Sequence, residues 1–101
     1  MLNQVVLSGQ ICKSPKFSQS PAGVVHGQFS IEHRSVQQED EFSRNAYIRI
    51  HVVTCGEQQK QFVENFNVGD EVKVSGFLNR HESKNGQPII ALHAQHIERL
   101  N

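Results

Sequence analysis

Apolar residues recur at every second position along five separate stretches of the chain, and this period of two is the pattern of strands with one wet face. The first stretch sets Val5, Leu7, Gly9 and Ile11 on one face and Val6, Ser8, Gln10 and Cys12 on the other. Gly9 within it predicts a bulge or bend of a strongly curved strand. Pro15, and then Ser20-Pro21-Ala22-Gly23, predict turns. The second stretch places Phe29, Ile31 and His33 on one face, with Gln28, Ser30, Glu32 and Arg34 on the other. Ser35 to Ser43 is largely polar and acidic around Phe42 and is expected to be an exposed loop. The third stretch runs from about Asn45 to Thr54, with Ala46, Ile48, Ile50 and Val52 inward and Tyr47, Arg49, His51 and Val53 outward.

Gly56 ends that strand. Glu57 to Phe66 lacks Gly and Pro and spaces Phe62 and Phe66 four apart, which predicts one short amphipathic helix. Asn67-Val68-Gly69-Asp70 closes it, and Val72, Val74, Gly76 and Leu78 alternate in a fourth strand. Lys84-Asn85-Gly86-Gln87 predicts a hairpin, because Asn-Gly tolerates the positive φ values of a type I′ turn. The fifth strand, Pro88 to about Arg99, is apolar on both parities, so its facing stays open. Strand, strand, strand, short helix, strand, strand is the order of an all-β, five-stranded OB-fold barrel with its helix between strands 3 and 4. One domain covers residues 1–101. Such barrels offer their second and third strands to oligonucleotides or oligosaccharides, but only the residues on that face can support a function.

A chain of 101 residues buries roughly two-thirds of its unfolded surface, enough for a core without disulfides or metal. Its formal net charge of zero argues against a strongly electrostatic binder, although charge can still be sorted by surface. Glu39, Asp40 and Glu41 cluster away from most of the arginines. Cys12 and Cys55 form no CxxC and read as ordinary reduced thiols. Met1-Leu2-Asn3-Gln4 has no secretory pattern and no apolar run reaches membrane-spanning length, so a soluble cytoplasmic protein is expected.

Single strands are bound by cations that track phosphates and by aromatic faces on which bases stack. Period-two geometry puts Arg34, Tyr47 and Arg49 on the outward faces of strands 2 and 3, with Phe42 and Arg44 expected in the loop between them. Lys13 and Lys16 follow strand 1, while Arg80 and Lys84 flank the last hairpin. Taken singly, each residue also fits ordinary surface chemistry. The six histidines form no ligand spacing, and His93 and His96 are expected on opposite faces of a strand, so no metal is expected. No nucleophile elbow, HExxH, phosphate-cradling loop or spaced carboxylate pair is present, so no enzyme and no cofactor is expected.

Val6-Leu7-Ser8-Gly9, Ser20-Pro21-Ala22-Gly23, Glu32-His33-Arg34-Ser35-Val36-Gln37, Val68-Gly69, Gly76-Phe77, Lys84-Asn85-Gly86 and Leu92-His93-Ala94 together resemble the primosomal replication protein N (PriB) family. The resemblance runs along nearly the whole chain, and its Glu-His-Arg-Ser-Val-Gln run is the most specific part. It implies a homodimeric OB-fold protein that binds single-stranded DNA at stalled forks, joins the PriA helicase and helps load the replicative helicase, in many members through DnaT. It carries DNA contact over to Arg34, Phe42, Arg44, Tyr47 and Lys84. Tyr47 stands where tryptophan is expected, Glu82 and Ile89 where lysines are expected, and Ser18 where a cation is expected. These departures weaken the DNA role expected of the loop after strand 4, with Arg49 and Arg80 as partial replacements.

The competing readings are a general single-strand coating protein, an RNA-binding OB module and a small enzyme. Coating proteins usually end in a long acidic tail, unlike Glu98-Arg99-Leu100-Asn101. RNA modules often pair aromatics within one strand, which is not the pattern expected here. Val5 and Val6 on opposite faces, with a strand 5 apolar on both, point to a second buried surface and hence a dimer.

Overall fold

Six elements follow in chain order: β1 (Val5–Gln19), β2 (Val25–Glu39), β3 (Phe42–Cys55), α1 (Glu57–Val63), β4 (Glu71–Glu82) and β5 (Pro88–Arg99). The computed structural model describes all 101 residues. The strands close into a barrel in the order β1-β2-β3-β5-β4. Val5 to Gln10 of β1 pairs with β4 and Gln10 to Gln19 pairs with β2, while β3 runs parallel to β5. This is the expected five-stranded OB barrel, with its helix between β3 and β4.

The core follows the alternation. Ile11, Phe29, Ile31, Val52, Val72, Val74, Leu92 and Ile97 point inward, and Val63 and Phe66 complete the cluster from the helical segment. Burying each such side chain is worth about 1.5–3 kcal/mol. The helix is shorter than expected: it stops at Val63, and Phe66 lies beyond it yet is 4 % exposed. Phe62 is instead half-exposed and meets Phe66 edge-on with ring centres 5.1 Å apart. Val63, fully buried, is the helix residue that reaches the core.

Several local expectations are corrected. Pro15 lies inside β1 rather than in a turn; the register shifts between Lys13 and Lys16, and that irregularity accommodates a residue without an N–H. Of the bulge or bend expected at Gly9, only the bulge is excluded, since the shifts in β1 fall between Ile11 and Lys13 and between Lys13 and Lys16. It sits where β1 passes from β4 to β2, and a Cβ there would strike the Glu32 carbonyl. The last hairpin is not a type I′ turn. Gly86 N–H donates to the Ser83 carbonyl at 2.9 Å, Ser83 N–H donates to the Gln87 carbonyl at 2.8 Å, and only Gly86 of the loop has positive φ (76°). That is a three-residue loop with a bulge glycine. Ser20 to Val24 repeats the arrangement with Gly23 at φ 86°. The open facing of β5 is also resolved: between Ala94 and His96 it carries one residue more than β4 does between Gly76 and Ser75. Leu92 and Ala94 therefore pack inward before the bulge and Ile97 after it.

The largest correction concerns Ser35 to Ser43. It is no loop: β2 and β3 stay paired without a register shift from His26/Cys55 to Glu39/Phe42, and only Asp40 and Glu41 turn the chain. Asp40 takes φ 55°, a conformation Asp tolerates better than most residues. The distal part of this hairpin is an arm with both faces in water, so burial imposes no alternation on its sequence.

Candidate nucleic-acid interface

Residues directly opposite in an antiparallel pair share a face. One face of the β2–β3 ribbon carries Arg34 opposite Tyr47, then Glu32 opposite Arg49, then Ser30 opposite His51. The other carries Glu39 opposite Phe42 and Gln37 opposite Arg44, and continues down to the core pairs Ile31/Ile50 and Phe29/Val52. Arg34, Tyr47 and Arg49 thus come together as expected. Phe42 and Arg44 lie on β3, across the thickness of the ribbon from them, not in a connecting loop.

The Arg34 guanidinium carbon sits 4.5 Å from the centre of the Tyr47 ring. Tyr47 is 53 % exposed, so this cation–π pair leaves stacking surface open. On the far face, Arg44 Nε is 3.4 Å from a Glu39 carboxylate oxygen, with both side chains largely in solvent. Its guanidinium carbon also lies 5.8 Å from the centre of the Phe42 ring. A phosphate at Arg44 would compete with that carboxylate.

The root of the arm is tied to the barrel through His33. Its Nδ1 is 2.7 Å from the Ser8 carbonyl, which can only accept, so Nδ1 carries the proton. Nε2 is 2.7 Å from the Ser35 hydroxyl, and that hydroxyl accepts from Gln37 Nε2 at 2.8 Å.

The outward face continues down the barrel wall. Lys13 and Lys16 of β1 line a shallow groove with Gln28, Ser30 and His51, and Ser30 Oγ is 3.1 Å from His51 Nδ1. Arg80 and Lys84 do not join this face. Arg80 is opposite Ile90 on the parity of Leu78, beyond the barrel, and Lys84 is the first residue of the hairpin loop. Both are exposed.

A second groove, of about 420 Å³, adjoins the first through Gln28 and His51 and brings in His26, His81 and Glu82. Behind it, His81 Nε2 and His93 Nε2 are 2.6 Å apart. The ring centres are 4.8 Å apart and the planes differ by 13°. Those values describe two imidazoles meeting tip to tip in nearly one plane, not stacked faces. One nitrogen donates and the other accepts, so a single proton lies between them. Phe77 stacks on His93, with ring centres 5.0 Å apart. Burial, and then the charge of His81, hold His93 below the ordinary histidine pKa.

Sequence reasoning misses these histidines because they lack ligand spacing. Their grouping is cross-strand: His51 opposite Ala91, His93 opposite Phe77 and His81 opposite Ile89 put them on one wall. The signal is the outward parity of each strand rather than spacing along the chain. His93 and His96 are not on opposite faces as expected, because the β5 bulge turns both outward, opposite Phe77 and Ser75. No three His, Cys, Asp or Glu side chains gather as a metal site would require.

Residues 3–96 match a family described as another single-strand binding protein family. The replication restart protein PriB of Yersinia pseudotuberculosis is 43 % identical over 96 residues, covering 95 % of this chain and 91 % of that protein. The PriB of Escherichia coli is 40 % identical over 101 residues, covering 100 % and 97 %. The solved PriB of Ralstonia solanacearum superposes with a TM-score of 0.82 over the full length of both chains at 17 % identity, a likeness of fold. The chain belongs to the PriB family of replication restart proteins, within this wider family of single-strand binding proteins.

Proposed function

We propose that this chain binds single-stranded DNA at stalled replication forks, stimulates a PriA-type helicase and helps reload the replicative helicase, with DnaT as a further partner and without catalysis of its own. The observation that carries the binding step is the exposed Arg34/Tyr47 pair with Arg49 beside it, a cation and a π face already set together on one wall. Lys13 extends that wall toward the barrel. Phe42 and Arg44 join it if the strand crosses the ribbon, and Arg80 and Lys84 act as outlying cations near its end.

Anisotropy titrations with matched single-stranded DNA, single-stranded RNA and duplex test this reading. Preference for the DNA strand supports it, and preference for RNA moves the chain to the RNA-binding alternative. Addition to a fork-unwinding reaction containing the PriA helicase should raise the unwinding rate, and an unchanged rate would remove the helicase step from this proposal.

A homodimer belongs to the same proposal. The β5 bulge accounts for Ile97 facing inward with Leu92 and Ala94, while Val6 (58 % exposed) and Ile90 (54 % exposed) are exposed apolar side chains of β1 and β5 that a dimer would cover. A monomer mass by sedimentation equilibrium at micromolar protein defeats the dimer.

A further inference from the structure

We propose that the histidine-lined groove on the barrel wall is a second segment of the single-strand track, one that engages phosphate only when its imidazoles are protonated, so that acidification tightens DNA binding. The inference rests on the single-strand-binding reading above.

The groove is continuous with the Arg34/Tyr47/Arg49 face through His51 and Gln28, on successive outward positions of β2 and β3. Such positions lie about 6.7 Å apart, so a strand leaving Arg49 along this wall meets His51 next. The charge of the groove is unusual for a polyanion site. The lining from β1 contributes Ser18, that from β2 contributes His26, β3 contributes His51, β5 contributes only apolar groups, and β4 contributes His81 and Glu82. No lysine or arginine lines it. With neutral imidazoles its one charge is the Glu82 carboxylate, which repels phosphate; with His26, His51 and His81 protonated the sign reverses. Lys13 and Lys16 stand in the neighbouring groove.

The tip-to-tip pair gives the device its order of events. His81 and His93 hold one proton between their Nε2 atoms, and a second would set two N–H groups head to head. The pair therefore has room for one positive charge and opposes two. His93, half-buried beneath Phe77, is the poorer base, so the charge falls to His81, which lines the groove. His51 is likewise prepared: with Ser30 Oγ at its Nδ1, its Nε2 is left for the groove. Phosphate bound to an imidazolium raises that group's pKa, so the added affinity is present at low pH and lost as pH rises through the complex's value.

The test is the ratio of affinities for an oligothymidylate, whose bases do not titrate here, between about pH 6 and about pH 8, on either side of the ordinary histidine pKa. Wild type should bind on the order of tenfold tighter at the lower pH, and its salt slope should steepen by about 0.7 for each further phosphate neutralised. His26→Gln/His51→Gln, which leaves the tip-to-tip pair intact, should shrink that ratio, and His81→Gln should shrink it separately. His96→Gln, a histidine outside the groove, should keep the full ratio and so separates a local effect from overall charge. A flat wild-type ratio overturns the inference while leaving single-strand binding in place. A steep ratio that all the groove variants retain also overturns it. Failure to bind the oligonucleotide at both pH values removes the binding reading itself, and this inference with it.

Discussion

The same two strands live in two environments. In their barrel half, Phe29 and Ile31 of β2 and Ile50 and Val52 of β3 turn one face inward, and Phe29, Ile31 and Val52 are at most 2 % exposed. In their arm half, from Arg34/Tyr47 to Glu39/Phe42, neither face is buried by the barrel, and Val36 and Phe42 are 70 % and 62 % exposed. Burial holds the first half. The second is held by the backbone ladder, by the His33 link to Ser8 and by cross-strand pairs such as Arg34/Tyr47. A two-stranded ribbon without a covered face is marginal alone, so the arm borrows its order from the barrel. Core packing is thereby confined to the barrel half, whereas the Arg34/Tyr47 and Phe42/Arg44 chemistry lies in the arm half, and substitutions at these two sets should affect different measurements.

The sharpest division is in stability. Leu92→Ala, at a fully buried barrel position, should cost about 2–5 kcal/mol in denaturant unfolding. Val36→Ala in the arm should stay within about 0.5 kcal/mol. Equal losses would mean that the arm is covered in solution. Affinity should divide the other way. Tyr47→Ala and Phe42→Ala should each weaken single-strand binding by about 1–3 kcal/mol and leave the unfolding midpoint in place. Because those rings lie on opposite faces of the ribbon, a loss at both means that the strand crosses it. A loss at Tyr47 alone confines the strand to the outward wall.

This division also explains what can be read in the sequence. Ile11, Phe29, Ile31, Val52 and Val74 are legible because each strand there has a single inward face. Ser35 to Ser43 reads as a loop because an arm wet on both sides carries no alternation, although its backbone is as regular as the barrel's. The outward partners Arg34, Tyr47 and Arg49 are legible from parity and register alone. The separation of Phe42 and Arg44 from them is not, since it depends on the strands staying paired to the tip. The His81/His93 contact is hidden for another reason: it joins two strands across a hairpin at positions that are not directly opposite, and no local spacing encodes that.

Acid should affect the two functions of the wall with opposite signs. His93 has a folded-state pKa below its ordinary value, chiefly through burial and then through the charge of His81. The unfolded chain therefore takes that proton more readily. The contribution of His93 to stability is present above the unfolded pKa of about 6.5 and is lost as pH falls toward the lowered value. Unfolding midpoints should accordingly decline below about pH 6.5, the same range in which binding strengthens. His93→Gln should flatten the decline. A midpoint that holds steady through this range, or a decline that His93→Gln retains, removes the tip-to-tip pair as its cause.

The smallest expected effect is at Glu82, the one fixed charge of the histidine groove. Its carboxylate opposes phosphate at neutral pH, where the surrounding imidazoles offer nothing in return. Glu82→Lys replaces a repulsion with an attraction near His81. It should tighten single-strand binding a few-fold and steepen the slope of log affinity against log salt by about 0.7 to 1. Folding should barely respond, because an exposed charge near a hairpin loop seldom moves stability by more than about 0.5 kcal/mol. The substitution also bears on the comparison between arm and barrel wall. If the strand passes only over the arm, Glu82 is out of reach, and neither affinity nor slope changes at any pH. If it runs down the wall, the improvement is largest near pH 8, where the groove otherwise carries a net negative charge, and smallest near pH 6, where protonated imidazoles already attract the phosphate. An improvement of equal size at both pH values would place Glu82 beside the strand but leave the imidazoles away from the phosphates.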